Sequence, residues 1–253
     1  GVTQDYSEAF KWYKLAAEQG NADAQLNLGY HYFKGEGVTQ DYSEAFKWYK
    51  LAAEQGDADA QLNLGGLYIK SEGVTQDYVQ AFKWFKLAAE QGNAKAQYKL
   101  GYRYFKGEGV TQDYSEAFKW YKLAADQGDV YAQYNLGYHY FKGEGVTQDY
   151  SEAIKWFKLA AEQGDADAQL NLGGLYIKGE GVTQDYVQAF KWFKLAAEQG
   201  NAKAQLILGI QNYTIGIFTK DYRRAIRWFK LAADQGDANA QLKLGDLYYD
   251  GKG

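Results

Sequence analysis

The sequence predicts an all-α fold, a solenoid built from antiparallel helix pairs, and three observations lead there. The tryptophans come first: Trp12, Trp48, Trp84, Trp120, Trp156, Trp192 and Trp228 are the whole set, each 36 residues after the last. Around each the same text returns, GVTQDYSEAFKWYKLAAEQG and then NADAQLNLGYHYFKGE. Within each copy, two alanine- and leucine-bearing stretches are separated by glycine. A fixed period of this length marks a stacked repeat rather than a folded-over globule. Seven copies account for residues 1–252 and leave Gly253 over, so residues 1–253 read as one array.

A longer period of 108 residues lies over the first. Tyr30-His31-Tyr32-Phe33 returns as Tyr138-His139-Tyr140-Phe141, and Gly65-Gly66-Leu67-Tyr68 returns as Gly173-Gly174-Leu175-Tyr176. A block of three repeats was duplicated, with whatever surface it carries.

The second copy shows how each element is specified. A first helix runs from Asp41 to Gln55, with Asp41 as N-cap and Glu44, three residues on, completing a capping-box pattern. Gly56 ends it. Asp57 caps a second helix that runs to about Lys70, after which glycine and Val74-Thr75-Gln76 form the loop to the next copy. Elsewhere this loop opens as in Gly35-Glu36-Gly37. Ala45, Ala52, Ala53, Ala58 and Ala60 favour helix and let neighbours approach closely. A leading helix at about 5–19 and a trailing one at about 238–250 complete the chain. Neither helix of a pair can bury its apolar face alone, so Trp48, Tyr49, Leu51, Leu64 and Tyr68 are expected to pack within the pair and against the next one.

Composition narrows the function classes. The chain is 46% hydrophobic and 24% charged, with a net charge of −4. No overall basic field exists to release counterions from phosphates, which argues against nucleic acid as the partner. No stretch approaches the ~20 apolar residues that cross a bilayer, so membrane insertion is not expected. Cysteine is absent, which removes disulfides, thiol nucleophiles and thiolate metal sites. The histidines, His31 and His139, lie three copies apart and cannot share a metal. Asp57 with Asp59, and Asp165 with Asp167, read as a helix cap followed by a solvent carboxylate. No phosphate loop, nucleophile elbow or zinc-protease motif occurs, and no cofactor or catalytic residue is expected.

Ala24, Leu28, Gly29, Tyr32, Gly35, Gly37, Val38, Asp41, Ala45, Trp48, Tyr49, Ala52, Ala53 and Gly56 together resemble the pattern of the Sel1-like repeat, a relative of the tetratricopeptide repeat. The resemblance covers nearly the whole chain. It implies a right-handed superhelix with a concave groove, serving as a non-catalytic adaptor for protein complexes in bacterial signalling, host interaction or eukaryotic quality control. In that frame the chain holds six helix pairs, from about Ala22 to Gly236, between a leading and a trailing helix.

Helical spacing then proposes a binding row on the second helix of each pair. Ala24, Leu28 and Tyr32 share one face and belong to the core. Asn27, His31 and Lys34 lie on another. Along the array this second row becomes Lys99, Arg103 and Lys106, then Asn135, His139 and Lys142, with Tyr30, Tyr102 and Tyr138 beside it. It is polar, differs between copies and is basic in the middle. A protein or peptide partner, acidic or extended, suits it, since tyrosine beside arginine is common at binding hot spots. The plainer alternative is a solvated face.

One copy departs from the pattern. Where others read Tyr-Phe-Lys-Gly-Glu-Gly-Val, this one reads Asn212-Tyr213-Thr214-Ile215-Gly216-Ile217-Phe218, and Arg223 with Arg224 replaces the usual cap partner. Two readings stand: drift in one repeat, or an altered loop exposing Ile215, Ile217 and Phe218 as a secondary contact patch. The leading and trailing helices also keep the apolar pattern of internal ones, which allows head-to-tail self-association.

Overall fold

The computed structural model describes residues 5–252. Among these the secondary structure is helical throughout: α1 (Tyr6–Glu18), α2 (Ala22–Lys34), α3 (Tyr42–Glu54), α4 (Ala58–Lys70), α5 (Tyr78–Glu90), α6 (Ala94–Lys106), α7 (Tyr114–Asp126), α8 (Val130–Lys142), α9 (Tyr150–Glu162), α10 (Ala166–Lys178), α11 (Tyr186–Glu198), α12 (Ala202–Thr219), α13 (Arg223–Asp234) and α14 (Ala238–Tyr249). The chain divides into two compact units, Gly1–Asp129 and Val130–Gly253. In each, consecutive helices pack as antiparallel neighbours joined by short connections.

The caps behave largely as the sequence predicts. Asp41 Oδ1 accepts the backbone N–H groups of Ser43 and Glu44 at 2.9 and 3.0 Å, and Asp57 Oδ1 accepts that of Ala60 at 2.7 Å. The capping box, however, is only half made. Glu44 turns outward to Lys47, because the backbone N–H of Asp41 already donates to the carbonyl of Tyr32 at 2.9 Å. Gly35 closes α2 in the left-handed conformation, at φ 76°. Gln40 then ties the loop back through its amide to the carbonyl of Phe33 at 2.8 Å.

In the first unit Ala45, Tyr49, Ala52, Ala53, Ala60, Leu64 and Leu67 form one buried cluster, with Trp84 of the following repeat packed against it. In the second unit Ala153, Phe157, Ala160, Ala161, Ala168, Leu172 and Leu175 repeat it, with Trp192 in the place of Trp84. Close approach is set by the glycine of the Leu-Gly pair: a Cβ on Gly65 would sit 2.6 Å from the ring of Phe85 in the next helix. Leu51 does not join this core. It is 43% exposed, as are its equivalents Leu87 and Leu159 to a similar degree, because this position faces outward from α3.

The irregular repeat is an ordered alternative, and the expected loop is helix. α12 continues without interruption to Thr219, so only residues 220–222 separate it from α13, where residues 35–41 do so after α2. Gly216 makes this possible, since a Cβ there would lie 2.6 Å from the ring of Tyr222, which is buried beside it. Tyr222, just before α13, makes no side-chain cap bond, while Asp221 accepts the backbone N–H of Arg223 at 3.1 Å and pairs with its guanidinium at 2.7 Å. That guanidinium holds the Asp221 carboxyl well below the usual carboxylate range.

Candidate functional site

The predicted row divides by depth. His31, Arg103 and His139 point inward and are buried, a correction to the expectation of a uniformly solvent-facing strip. Their equivalents Leu67, Leu175 and Leu247 are buried as well, so this position belongs to the packing in those repeats, while Gln211 in the irregular one is half-buried. The three polar versions hold the following loop. His31 Nδ1 lies 2.6 Å from the carbonyl oxygen of Glu36, His139 Nδ1 lies 2.6 Å from that of Glu144, and Arg103 pairs with the carboxylate of Glu108. Burial lowers the pKa of His139, with the carbonyl of Glu144 opposing the shift.

Asn27 and Asn135 are half-buried, and their amides donate to carbonyls on their own helices, Asp23 and Tyr131, both at 2.7 Å. The lysines are what remains exposed: Lys34, Lys70, Lys99 and Lys106 in the first unit, Lys142 and Lys178 in the second. Those ending each helix complement the negative end of its dipole. They also share a more specific arrangement. In the first unit Lys34 lies 5.9 and 5.8 Å from the ring centroids of Tyr30 and Phe33, and Lys106 lies 5.8 and 5.4 Å from those of Tyr102 and Phe105. In the second unit Lys142 lies 5.7 and 5.6 Å from Tyr138 and Phe141.

Neighbouring repeats of the first unit connect along this face, because Lys70 also reaches the ring of Phe33, 5.9 Å away. Lys99 keeps much of its surface in water, yet partial burial of its ammonium group lowers its pKa, with Arg103 and Lys70 adding to the shift and Asp129 opposing it. The exposed lysines of neighbouring repeats thus line one face, where an anionic group brought to it would meet several ammonium groups.

Ile215, Ile217 and Phe218 lie on helix rather than on the expected loop. Ile215 and Ile217 lie on the last turns of α12 with half or nearly half of their surface in water, and Phe218 is 82% exposed.

Sequence reasoning missed a buried row of glutamines. Gln61 is buried and donates to the carbonyl of Ala53 at 3.1 Å, while its own oxygen accepts from Gln91 of the next repeat at 2.8 Å. Gln25 with Gln55 and Gln97 with Gln127 repeat the bond in the first unit, as Gln169 with Gln199 and Gln205 with Gln235 do in the second. Its signal was available: a glutamine at a fixed place in every copy, on the face otherwise occupied by alanine and leucine. Among the described residues no cluster of three or more His, Cys, Asp or Glu is placed to hold a metal ion. No helix among them is long and apolar enough to cross a membrane.

Paired helices, a constant 36-residue step and a side-chain row repeated at that step define an α-solenoid repeat protein. The Sel1 repeat model matches residues 1–21, 22–57, 58–93, 94–129, 130–165, 166–201, 202–237 and 238–253, and the chain belongs to the Sel1 repeat family. Proteins of this family generally mediate protein–protein interaction. The crystal structure of c5321, a protective antigen of uropathogenic Escherichia coli strains displaying an SLR fold, is 41% identical with a TM-score of 0.88; the match covers 98% of this chain and 54% of that one. The chain thus spans about half the length of that relative. A Sel1 repeat protein from Oxalobacter formigenes is 38% identical with a TM-score of 0.80, over 91% of this chain and 94% of the other. Pseudomonas aeruginosa pilF, at 17% identity and a TM-score of 0.61 over 92% of this chain and 98% of that one, shares the fold alone. No curated protein sequence matches the chain.

Proposed function

We propose that the chain is a non-catalytic scaffold that binds an acidic or extended segment of a partner protein along the lysine–aromatic strip of its first unit. One observation carries this reading: an exposed lysine set over two aromatic rings recurs at the same repeat position, as Lys34 over Tyr30 and Phe33, Lys106 over Tyr102 and Phe105, and Lys142 over Tyr138 and Phe141. A helix-ending lysine needs only the carbonyls beneath it. The rings add apolar area that a peptide covers, and the ammonium group receives a carboxylate. Lys99, Arg103 and Asn27 contribute differently: Lys99 adds charge, whereas Arg103 and Asn27 shape the face from within. The test is a pull-down comparing the native chain with a Lys34→Glu/Lys70→Glu/Lys106→Glu variant, in which charge reversal releases the partner.

A second reading, association of one copy with another, rests on its own observation. Trp12 is 68% exposed, unlike the half-buried tryptophans of later repeats, and Leu15 is exposed on the same helix. On α14, Leu242, Tyr248 and Tyr249 are exposed likewise. Stacking α14 of one molecule on α1 of another would cover both sets. Light scattering over a hundredfold concentration range tests it, and a constant monomer mass removes it.

A further inference from the structure

The extension of α12 uncovers a surface that the other repeats keep closed. After α4, the loop to α5 folds back over the start of α3: a Cβ on Gly73 would lie 2.1 Å from the carbonyl oxygen of Tyr42. Gly181 packs in the same way on Tyr150 at the start of α9. The next residue, Val74, then packs against the core cluster alongside Phe46. Only glycine fits so close to backbone. In the irregular repeat the corresponding residues are Ile217 and Phe218, carried away on the continued helix. Among the described residues no loop therefore covers the start of α11, where Tyr186 is 55% and Val187 67% exposed.

What results is a groove of about 690 Å³ within the second unit, between α11, α12 and α13. Tyr186, Val187, Phe190 and Trp228 supply its apolar walls, and Lys191, Lys194 and Arg224 its charge. Arg224 is specific to this place, whereas the glutamine before Lys191 also stands before Lys83 in α5, as Gln80. In α1, α3, α7 and α9 a glutamate pairs with the lysine three residues on, as Glu44 does with Lys47 and Glu152 with Lys155. Here that glutamate is Gln188 in α11 and Arg224 in α13. Among the described residues no carboxylate lies within ion-pair distance of Lys191 or Arg224, and Lys194 reaches only Glu198, at 3.7 Å.

We propose that this groove is a second docking site, for an extended acidic segment of a partner protein that lies where the Gly-Glu-Gly-Val loop lies in other repeats. The segment places an aliphatic side chain in the unfilled valine seat beside Phe190 and carboxylates against Lys191, Lys194 and Arg224. Shape and charge point to the same occupant: the missing element is itself a glycine-rich, glutamate-bearing loop, and the wall it left has turned cationic. The site is separate from the lysine–aromatic strip, and the two can be tested apart.

The probe is the capped peptide Gly-Glu-Gly-Val-Thr-Gln-Asp-Tyr, copied from residues 179–186, titrated into isotope-labelled full-length chain and followed by NMR. The expected result is saturable shifts confined to residues such as Val187, Phe190 and Trp228, weakened about tenfold by Lys191→Glu/Arg224→Glu. Lys34→Glu/Lys106→Glu leaves them unchanged, which separates this site from the strip. A variant that restores the loop (Thr214→Lys, Ile215→Gly, Gly216→Glu, Ile217→Gly, Phe218→Val) fills the groove from within the chain and abolishes binding. Absence of saturable shifts in the native chain, or equal affinity after the Lys191→Glu/Arg224→Glu exchange, overturns the proposal. That charge variant remains decisive if the loop variant does not fold.

Discussion

Gln61 and Gln91, thirty residues apart and one repeat apart, are joined by a 2.8 Å hydrogen bond between their side-chain amides. Gln61 is buried and also donates to the carbonyl of Ala53 at the end of α3, so a single side chain ties together its own helix pair and the next repeat. Replacing Gln61 with leucine removes both bonds, leaving the Ala53 carbonyl the N–H of Gly56 and the Gln91 amide its long contact with the Leu87 carbonyl. The expected cost is about 1–3 kcal/mol, read by urea denaturation. Gln91→Leu, which removes the more exposed partner, costs less.

Adjacent glycines in α4 should respond in opposite directions. Gly65→Ala drives a Cβ to 2.6 Å from the ring of Phe85 and should destabilise by about 1–3 kcal/mol, with partial rescue by Phe85→Leu. At Gly66 a Cβ meets nothing within 4 Å, so Gly66→Ala should stabilise the helix by roughly 0.5–1 kcal/mol. Thermal melts of the two variants check both signs.

Ser71 occupies the left-handed position, φ 60°, that glycine fills at the end of most of the other second helices. Ser71→Gly relieves that conformation and loses the 3.2 Å bond from the serine hydroxyl to the carbonyl of Val74. The exposed hydroxyl is replaced by water, so a net gain of up to about 1 kcal/mol is expected in chemical denaturation.

His139 gives a pH dependence with a definite sign. Burial lowers its pKa below the ordinary 6.5, so the neutral ring is the folded form. As pH falls through 6.5 the unfolded chain takes up the proton first, and the stability present above that value is lost. His139→Leu, the side chain found at Leu67 and Leu175, should flatten this part of the stability profile between pH 7 and 5. Denaturation at closely spaced pH values compares the two chains.

The helices were legible in the sequence because each local signal agrees with the period: Asp41 and Asp57 cap, Gly35 and Gly56 stop, and alanine fills what lies between. The site was legible in part. Helical spacing grouped Asn27, His31 and Lys34 correctly on one side, but 3.6-residue geometry cannot say that His31 turns under the following loop while Lys34 stays outside. That depends on where Glu36 lies, which only the folded loop decides. The glutamine row was missed because a polar residue on an apolar face reads as noise until its partner in the next repeat is seen. Residues 215–218 were read as a loop since every other copy has one there; the seat of Tyr222 against Gly216 is a tertiary contact that overrode the pattern.

The most direct test of the scaffold reading is retention of partner proteins by the native chain against the Lys34→Glu/Lys70→Glu/Lys106→Glu variant, at low and raised salt, with folding of both confirmed by circular dichroism. A charge change at the buried Arg103 would confuse binding with folding, so the exposed lysines are the right choice. The account predicts a protein held by the native chain, released by the charge reversal and weakened by salt. Identical retained sets from two folded baits would contradict it and leave the lysines as helix-ending charges alone.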